Sequence, residues 1–393
     1  MTPPTITATL VAAVAILLGL LLSPEISRHY AIFHWIPLLY PPFIGILPAT
    51  QSVADWRYTF EEVRQTDLTG QVALVTGANS GIGYQIARAL SRQGAAVYLG
   101  CRNPQRCFRA ADDIRRDELY SGAPVSPLIF DLSSLKSIKS AGRSLLNQLA
   151  DVNQGDDKVD LPVLDMLFLN AGIFSAAGSN GGDGNASRGT LPLTDDGIET
   201  VYATNVVGHH LLYRLMEPAL RNAPMARVVS TSSLAGILWT DAGKVPSTLD
   251  ELNRGKLSPM NAFTIYGRSK LAQVAWTKAL TRRLAEDQNS GNIYVNAAHP
   301  GAVRTEILGK NKWIPRFLFE ISLWFQDRLL WSSEEGALTD LYLGLDTKAL
   351  KENKIRGKYF HPQAVEVVNP YAEQVELQES VWTLCEQLVM QFI

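Results

Sequence analysis

Short apolar runs alternate with longer amphipathic stretches between residues 70 and 298. The runs predict six strands, at 72–75, 96–101, 125–130, 163–169, 226–232 and 293–298. The stretches between them predict helices, the first ending near Gly94 and the others at 105–119, 134–150, 195–220 and 262–287. Strands that alternate with helices form parallel β-α-β units with right-handed crossovers. The pattern therefore predicts an α/β fold, with a Rossmann-type, doubly wound and mostly parallel sheet in a single domain at residues 70–393.

An uncharged apolar run of about 18 residues, at 5–22, precedes this pattern and is near the minimum length for spanning a bilayer. The alternative is a cleaved signal peptide, which needs a basic stretch before the apolar run and a cleavage site after it. No Lys or Arg precedes this run, and Ser23-Pro24-Glu25 follows it. We therefore predict an N-terminal transmembrane anchor at residues 1–30. Because the first cation, Arg28, lies on its C-terminal side, the positive-inside bias places the rest of the chain in the cytosol.

Residues 31–69 form a membrane-proximal segment of a different kind. Four prolines interrupt an apolar stretch at 31–49, so a regular spanning helix is not expected there. Aromatic residues in this stretch suit the bilayer interface, and these are Trp35, Tyr40 and Phe43. The alternative is an apolar arm that packs on the globular domain. A polar connector at 55–69 leads into that domain.

The composition and net charge of the chain indicate which kinds of partner to expect. The chain has 393 residues, of which 46% are hydrophobic and 19% are charged, as in a globular protein with some membrane character. A net charge of −2 gives no reason to expect a nucleic-acid partner. The three cysteines have no C-x-x-C spacing and no accompanying His cluster, so we predict a reducing compartment and no metal site.

A glycine-rich turn joins the first strand to its helix, and it reads Thr76-Gly77-Ala78-Asn79-Ser80-Gly81-Ile82-Gly83. Glycines remove the side chains that would keep a pyrophosphate from the backbone, and a helix N-terminus offers unpaired N–H groups. The spacing is G-x-x-x-G-x-G rather than the common G-x-G-x-x-G. The alternative is a purely structural strand-to-helix turn.

The ends of the next three strands carry further candidates. Arg102 stands where an acidic residue would hold a free ribose 2′-hydroxyl, so it favours a 2′-phosphate and NADP(H) over NAD(H). A solvated surface arginine is the alternative. Asp131, before Leu132, is placed either to accept from an adenine amino group or to cap the following helix. The small residues Asn170-Ala171-Gly172 either admit a cofactor ribose or form a tight turn.

Tyr266 and Lys270 lie four residues apart on a predicted helix and therefore share a face. An ammonium beside a phenol lowers the phenol pKa from about 10 towards working pH, which suits proton exchange with an alcohol or carbonyl oxygen. Ser233 is placed to hydrogen-bond the same oxygen, and Asn205 to position Lys270 through its main-chain carbonyl and a water.

These motifs resemble those of the short-chain dehydrogenase/reductase family over residues 70–298 and beyond. The resemblance assigns a catalytic set of Asn205, Ser233, Tyr266 and Lys270, with Ser232 as the alternative serine. It adds a Pro-Gly motif after the sixth strand and places Thr305 to reach the nicotinamide carboxamide. The cofactor-binding residues that it implies are Gly77, Asn79, Ser80, Gly81, Ile82, Gly83, Arg102, Asp131, Leu132, Asn170, Ala171, Gly172, Tyr266, Lys270, Pro300, Gly301, Val303 and Thr305.

Within this family the chain is most similar to the retinol-dehydrogenase-like membrane reductases. Similar features are Cys101-Arg102, Asn205-Val206-Val207-Gly208-His209, Ser333-Glu334-Glu335-Gly336-Ala337 and Gly357-Lys358-Tyr359-Phe360. The resemblance implies hydride transfer between a nicotinamide and a carbonyl or carbinol carbon, with Tyr266 as general acid and base. It also implies an endoplasmic-reticulum membrane as the location, and pairing of two copies through the helices at 195–220 and 262–287.

The segment after Thr305 is dense in apolar and aromatic residues, from Ile307 to Phe325. We interpret it as a lid over a hydrophobic substrate such as a retinoid, a steroid or a long-chain carbonyl lipid. Ordinary packing or an oligomer contact is the alternative. The sequence thus favours an NADP(H)-dependent oxidoreductase. The competing hypotheses are a catalytically silent NADP(H)-binding scaffold and a nucleotide-sugar epimerase, whose glycine spacing and larger C-terminal domain fit less well.

Overall fold

The computed structural model describes residues 58–152, 161–174, 191–255, 258–287, 290–303 and 331–393. The predicted anchor at 1–30, the apolar stretch at 31–49, Thr305 and the predicted lid lie outside the described residues. Among the helices that are described, none combines the length and the apolar character needed to cross a bilayer.

Strands and helices alternate along most of the described chain. In chain order they are α1 (Phe60–Arg64), β1 (Val72–Thr76), α2 (Gly81–Arg92), β2 (Ala96–Cys101), α3 (Pro104–Arg115), β3 (Val125–Ile129), α4 (Leu135–Val152), β4 (Met166–Leu169), α5 (Thr200–Tyr202), a π-helix (Ala203–Val207), α6 (Gly208–Asn222), β5 (Ala226–Thr231), α7 (Ala235–Leu238), α8 (Leu249–Asn253), α9 (Pro259–Glu286), β6 (Ile293–Ala298), α10 (Ser333–Leu345), α11 (Thr347–Glu352), β7 (Tyr359–His361), a 3-10 turn (Pro362–Ala364), β8 (Val365–Glu366), α12 (Val375–Val389) and a 3-10 turn (Met390–Phe392).

The strands form one sheet, which within the described residues has the order β3-β2-β1-β4-β5-β6-β7-β8. Pairing is parallel from β3 through β7, and only β8 runs antiparallel to its neighbour. The strand order reverses between β1 and β4, because the chain builds outward from β1 in one direction and then from β4 in the other. This confirms the predicted Rossmann-type, mostly parallel sheet, and it places a crevice at the carboxyl ends of β1 and β4.

Helices cover both faces of the sheet because successive strand residues point to opposite sides. In β4, Leu167 packs in a core with α4, α6, α9 and α12. Its neighbour Phe168 packs in a second core with α2, α3 and α10. The apolar runs that predicted buried strands are therefore buried on both sides, as a parallel sheet requires.

Several elements differ from the prediction. The strand expected at 163–169 begins at Met166, and the helix expected at 195–220 begins at Thr200 and contains one π-helical turn. Strands β7 and β8 are three and two residues long, so their own sequence carries too short a pattern to predict them. Strand β7 pairs with the edge of β6, and β8 in turn pairs with β7.

The C-terminal helix α12 packs along α9 and contacts α6. Glu379 accepts from Arg283 at 2.6 Å, and the Arg283 guanidinium lies 4.5 Å from the centre of the Trp382 ring. Trp382 also contacts His210 of α6, with their ring centres 5.0 Å apart. The two long helices through which pairing was predicted are therefore partly covered by a helix of the same chain.

The cysteines correct one expectation. Cys101 and Cys107 form a disulfide, whereas the sequence predicted a reducing compartment, where disulfides are rare. Cys101 ends β2 and Cys107 lies in the first turns of α3, so the short β2–α3 connection brings their Cα atoms within 5.9 Å. Cys385, in α12, is buried and free.

Candidate active site

The carboxyl ends of β1, β4, β5 and β6 bring the predicted site residues to one edge of the sheet. Parallel strands expose their last residues side by side, and the loops that follow form a crevice there. Residues 77–83 follow β1, residues 170–172 follow β4, Ser233 follows β5 and Pro300 follows β6. Sequence positions more than 200 residues apart thus lie along one edge.

The glycine turn is packed against the end of β4. Gly77 has φ +69°, a left-handed conformation that favours glycine. A Cβ on Gly83 would lie 2.4 Å from Asn170 Nδ2 and 2.6 Å from the Gly77 carbonyl oxygen. Asn170 Nδ2 donates to the Thr76 carbonyl at 2.9 Å. Close packing within the protein requires glycine at both positions. The two glycines are therefore evidence for a tight turn and are not by themselves evidence for a bound ligand.

The N-terminus of α2 is the part of this turn that suits an anion. Ser80 is the N-cap residue but makes no capping hydrogen bond with its side chain, and the first turn has no acidic residue. Within the part of the chain that the structure describes, neither the N-cap side chain nor an acidic residue of the first turn satisfies the first N–H groups or the positive end of the helix dipole. This end fits a pyrophosphate group, and the adjoining Asn79, Gly81 and Ile82 are partly exposed beside it.

Arg102 and Asp131 lie at the ends of β2 and β3. The Arg102 side chain is 59% exposed, and its Nη1 lies 3.9 Å from Asp131 Oδ2. Asp131 Oδ1 accepts from the amide and the hydroxyl of Ser133, at 2.8 and 2.7 Å. One carboxylate oxygen thus shapes the turn, while the other faces the arginine. The adjacent Leu132 is buried.

Asn205 lies in the π-helix, and its side chain ties three elements together. Its Oδ1 accepts from the Ile173 amide at 2.8 Å, and its Nδ2 donates to the Ile173 carbonyl and to Ser269 Oγ, both at 3.0 Å. Its carbonyl oxygen lies 3.1 Å from His209 Nδ1. π-Helical turns occur often at functional sites, and this one turns the side chain towards the loop after β4.

The two candidate serines have different partners. Ser232 Oγ donates to the Lys270 carbonyl at 2.7 Å, so its hydroxyl is used within the protein scaffold. Ser233 lies beside Tyr266, where the Ser233 hydroxyl lowers the pKa of the phenol. The geometry therefore brings Ser233, and not Ser232, beside the tyrosine.

Tyr266 and Lys270 share a face of α9, with Lys270 Nζ 5.5 Å from the centre of the Tyr266 ring. The ammonium donates to the Thr231 carbonyl at 3.0 Å and to Gln273 Oε1 at 2.9 Å. Burial raises the pKa of Tyr266 to about 12 and lowers the pKa of Lys270 to about 7. Burial is the largest effect on the pKa of the phenol, and the residue that lowers this pKa is Ser233 rather than Lys270, which the spacing predicted.

The remaining predicted positions lie close to this group. A Cβ on Gly172 would be 3.4 Å from both Asn205 Oδ1 and Lys270 Nζ, so the loop after β4 touches the catalytic candidates. Gly301, with φ +87°, follows Pro300 beside Trp331. Val303 is buried and forms an isolated bridge with Trp331.

An aromatic wall that the sequence did not predict borders Tyr266. We use this name for Phe174, Trp239 and Phe263. The Tyr266 ring centre lies 5.1 Å from that of Phe174 and 6.4 Å from that of Trp239. Phe263 lies 4.7 Å from Trp239 and 5.0 Å from Phe174. One signal was available: Phe263 precedes Tyr266 by three residues on one helix, and Phe174 follows the Asn-Ala-Gly motif by two.

Comparison with known proteins assigns the family. The family model described as short chain dehydrogenase matches residues 71–243. Human Retinol dehydrogenase 13 is 33% identical over 327 residues, which cover 82% of this chain and 85% of that protein. The chain therefore belongs to the short-chain dehydrogenase family and, within it, is of the retinol-dehydrogenase-like type. It is an oxidoreductase of the alcohol type.

Solved structures show the same fold at greater distance. A protein from Mycobacterium paratuberculosis aligns with a TM-score of 0.59 at 23% identity, covering 84% of this chain and 97% of that one. An NAD(P)-dependent gluconate 5-dehydrogenase from Beutenbergia cavernae, crystallised with bound NADP, aligns with a TM-score of 0.51 at 22% identity, covering 75% and 96%. At these identities the likeness concerns the fold.

Proposed function

We propose that the protein is an NADP(H)-dependent oxidoreductase, and that it transfers a hydride between the nicotinamide and a hydrophobic alcohol or carbonyl compound. One observation carries the proposal. Tyr266 has Ser233 beside its hydroxyl, Lys270 one helical turn away, and the aromatic wall beside its ring. This arrangement places a proton donor at the entrance of an apolar surface.

The residues at the sheet edge fit a dinucleotide. The N-terminus of α2 would bind the pyrophosphate, residues 170–172 and Lys270 the nicotinamide ribose, and Pro300, Gly301, Val303 and Thr305 the nicotinamide side. Arg102 would pair with a 2′-phosphate, and Asp131 and Leu132 would border the adenine. A bound nicotinamide supplies or accepts the hydride. The exposed Arg102, and the lack of an acidic residue at the end of β2, support NADP(H) over NAD(H).

The protein supplies the proton chemistry. In reduction Tyr266 would give its proton to the substrate oxygen, while Ser233 donates a hydrogen bond to the same oxygen. In oxidation the same groups would take the proton back. Since burial holds the pKa of Tyr266 near 12, the phenol keeps its proton at neutral pH, which suits its role as the acid in carbonyl reduction. Asn205 would position the loop beside Lys270 and hold a proton-relay water.

The aromatic wall and the family relationship support a hydrophobic substrate. Flat aromatic side chains bind extended apolar or unsaturated molecules over a large area. The name of Retinol dehydrogenase 13 points to a retinoid as one example. We extend the proposal to steroids and long-chain carbonyl lipids. We also propose that residues 1–30 anchor the enzyme in the endoplasmic-reticulum membrane.

The test is NADPH consumption by the detergent-solubilised full chain over retinal, steroid ketones and long-chain aldehydes, with NADH in parallel. Tyr266→Phe removes the acidic hydroxyl and should lower turnover by about a hundredfold or more without abolishing NADPH binding. Tyr294→Phe, on β6 and away from the site, is the matched control and should keep wild-type turnover.

Two results would go against the proposal. Turnover that survives Tyr266→Phe would remove the tyrosine from its role as acid. NADPH binding without turnover of any compound on the panel would favour the catalytically silent scaffold.

A further inference from the structure

A buried carboxylate lies on the other side of the sheet from Lys270. Lys270 belongs to α9, whose apolar residues pack in the core with α6 and α12. Asp340 belongs to α10, whose apolar residues pack in the opposite core with α2 and α3. Asp340 is fully buried. Moving an ionised carboxylate from water into a protein interior costs on the order of several kcal/mol unless other groups stabilise the charge. Its presence in an otherwise apolar helix face therefore needs a reason.

Thr231, the last residue of β5, connects the two groups. Its hydroxyl donates to Asp340 Oδ1 at 2.6 Å, and its carbonyl oxygen accepts from Lys270 Nζ at 3.0 Å. One strand residue thus holds a carboxylate on one face of the sheet and an ammonium on the other. Among the described residues, Asp340 Oδ2 has no hydrogen-bond partner. Burial raises the pKa of Asp340 to about 7, and the hydrogen bond from Thr231 opposes this rise, so the carboxylate form prevails above neutral pH.

The other titratable groups that face Lys270 do not supply a negative charge. From α6, His209 is held neutral, because burial lowers its pKa to about 3. From the end of β6, His299 is also neutral, because burial lowers its pKa well below the ordinary value. On α9 itself, Tyr266 is protonated at neutral pH. Asp340, on α10, is the group whose charge raises the pKa of Lys270, against the effect of burial.

We propose that Asp340 is a positioning residue for the reaction: acting through Thr231, its carboxylate holds the Lys270 ammonium in place and keeps it charged. The inference rests on the proposed function in so far as Lys270 serves catalysis. Loss of the carboxylate charge leaves a buried lysine whose ammonium is opposed only by burial. Lys270 then loses its proton at a lower pH, and a neutral lysine no longer attracts the cofactor.

The direct measurement is the titration of Lys270 itself, which needs no substrate. Lysine side chains of the full chain in detergent are labelled with ¹³C at Cε and followed by NMR against pH, and Lys270→Arg identifies the signal. In Asp340→Asn the Lys270 titration should move to lower pH by about one unit, a tenfold change in the ratio of protonated to neutral lysine. The alkaline limb of kcat/KM for NADPH-dependent reduction should move in the same direction.

Three further variants separate positioning from folding. Thr231→Val removes the hydroxyl that donates to Asp340 but keeps the carboxyl group. Without this hydrogen bond Asp340 binds a proton more readily, so the Lys270 titration should again move to lower pH. Thr231→Ser keeps the hydroxyl and should restore wild-type behaviour. Asp165→Asn is the matched control: Asp165 is a buried carboxylate at the opposite end of the sheet, where it accepts from the Val72 amide at 2.9 Å. Its loss should lower Tm without moving the Lys270 titration.

An unchanged Lys270 titration in Asp340→Asn and Thr231→Val would overturn the inference, whatever happens to Tm. If the titration moves but the wild type reduces no compound on the panel, the link between Asp340 and Lys270 stands and the proposed function fails. The two failures are therefore distinguishable.

Discussion

The position of Tyr266 and Lys270 on one helix face follows from their spacing, but their hydrogen bonds follow from their neighbours. The Lys270 ammonium donates to Thr231 and Gln273, and Ser233 is the residue that lowers the pKa of the phenol. Burial outweighs that effect for Tyr266 and lowers the pKa of Lys270. The protonation state of the candidate acid is therefore decided by solvent exclusion at the sheet edge.

Arg102 provides a test of cofactor preference at the scale of one residue. Arg102→Gln removes the positive charge that we assign to a 2′-phosphate. The KM for NADPH should rise about tenfold or more, because a charge-assisted hydrogen bond contributes about 1.5–3 kcal/mol, whereas the KM for NADH should change little. Steady-state kinetics with both cofactors measures this.

Arg116→Gln is the control for Arg102, since Arg116 is an exposed arginine at the end of α3, paired with Asp113 at 3.9 Å. It should leave both KM values unchanged. Equal effects of Arg102→Gln on NADPH and NADH would refute the 2′-phosphate assignment.

At the scale of elements, the π-helix and the start of α6 form the support of the site. The π-helix places Asn205 against the loop after β4, and Gly208 follows directly. A Cβ on Gly208 would lie 2.3 Å from the Leu132 carbonyl oxygen and 3.2 Å from the Ala203 carbonyl oxygen. The close packing of three elements therefore requires glycine at position 208, and these elements are the loop after β3, the π-helix and α6.

Gly208→Ala should destabilise the protein by about 1–3 kcal/mol, because main-chain atoms must move to admit the methyl group. Denaturant unfolding measures this, and NADPH affinity should fall as well, since Leu132 is among the residues assigned to the adenine. Gly291→Ala is the control, because a Cβ there meets nothing within 4 Å. Equal stability of the two variants would show that the contact relaxes without cost.

At the scale of the whole molecule, the C-terminal helix affects how copies can associate. Helix α12 lies along α9, fixed by Glu379 and Trp382 against Arg283. A homodimer that pairs through α6 and α9 must use another part of their surface or displace α12. A chain that ends at Gln374 would expose the apolar face that α12 covers, which includes Trp276.

The shortened chain should therefore form more dimer or higher oligomer than the full chain at the same concentration. Light scattering coupled to size-exclusion chromatography in one detergent measures this. An unchanged mass in the shortened chain would show that the covered face does not drive pairing. A stable dimer of the full chain would place the interface elsewhere.

The proposed anchor also belongs to the scale of the whole molecule. The full chain should stay in the membrane pellet after carbonate extraction, whereas a chain that begins at Asp55 should be released into the supernatant, because it lacks the apolar run at 5–22. Recovery of the full chain in the supernatant would refute the anchor.

The sequence by itself determined the sheet and the places where its site lies. Six apolar runs predicted β1 to β6. Each run has four or more residues, which is long enough for a local pattern to indicate a strand buried on both faces. The glycine turn, Asn170, Tyr266 and Lys270 were predicted because each belongs to a short local motif. Burial and spacing within one element are local properties, and a sequence records them directly.

Only the tertiary structure decided what depends on contacts between distant residues. Strand β7 pairs with the edge of β6, and α12 covers α9 although about 90 residues separate them in the chain. The aromatic wall joins Phe174 to Trp239, and Thr231 joins Asp340 to Lys270, across two faces of the sheet. No local pattern encodes these pairs, because the free energy that selects them comes from packing and solvent exclusion once the sheet has formed.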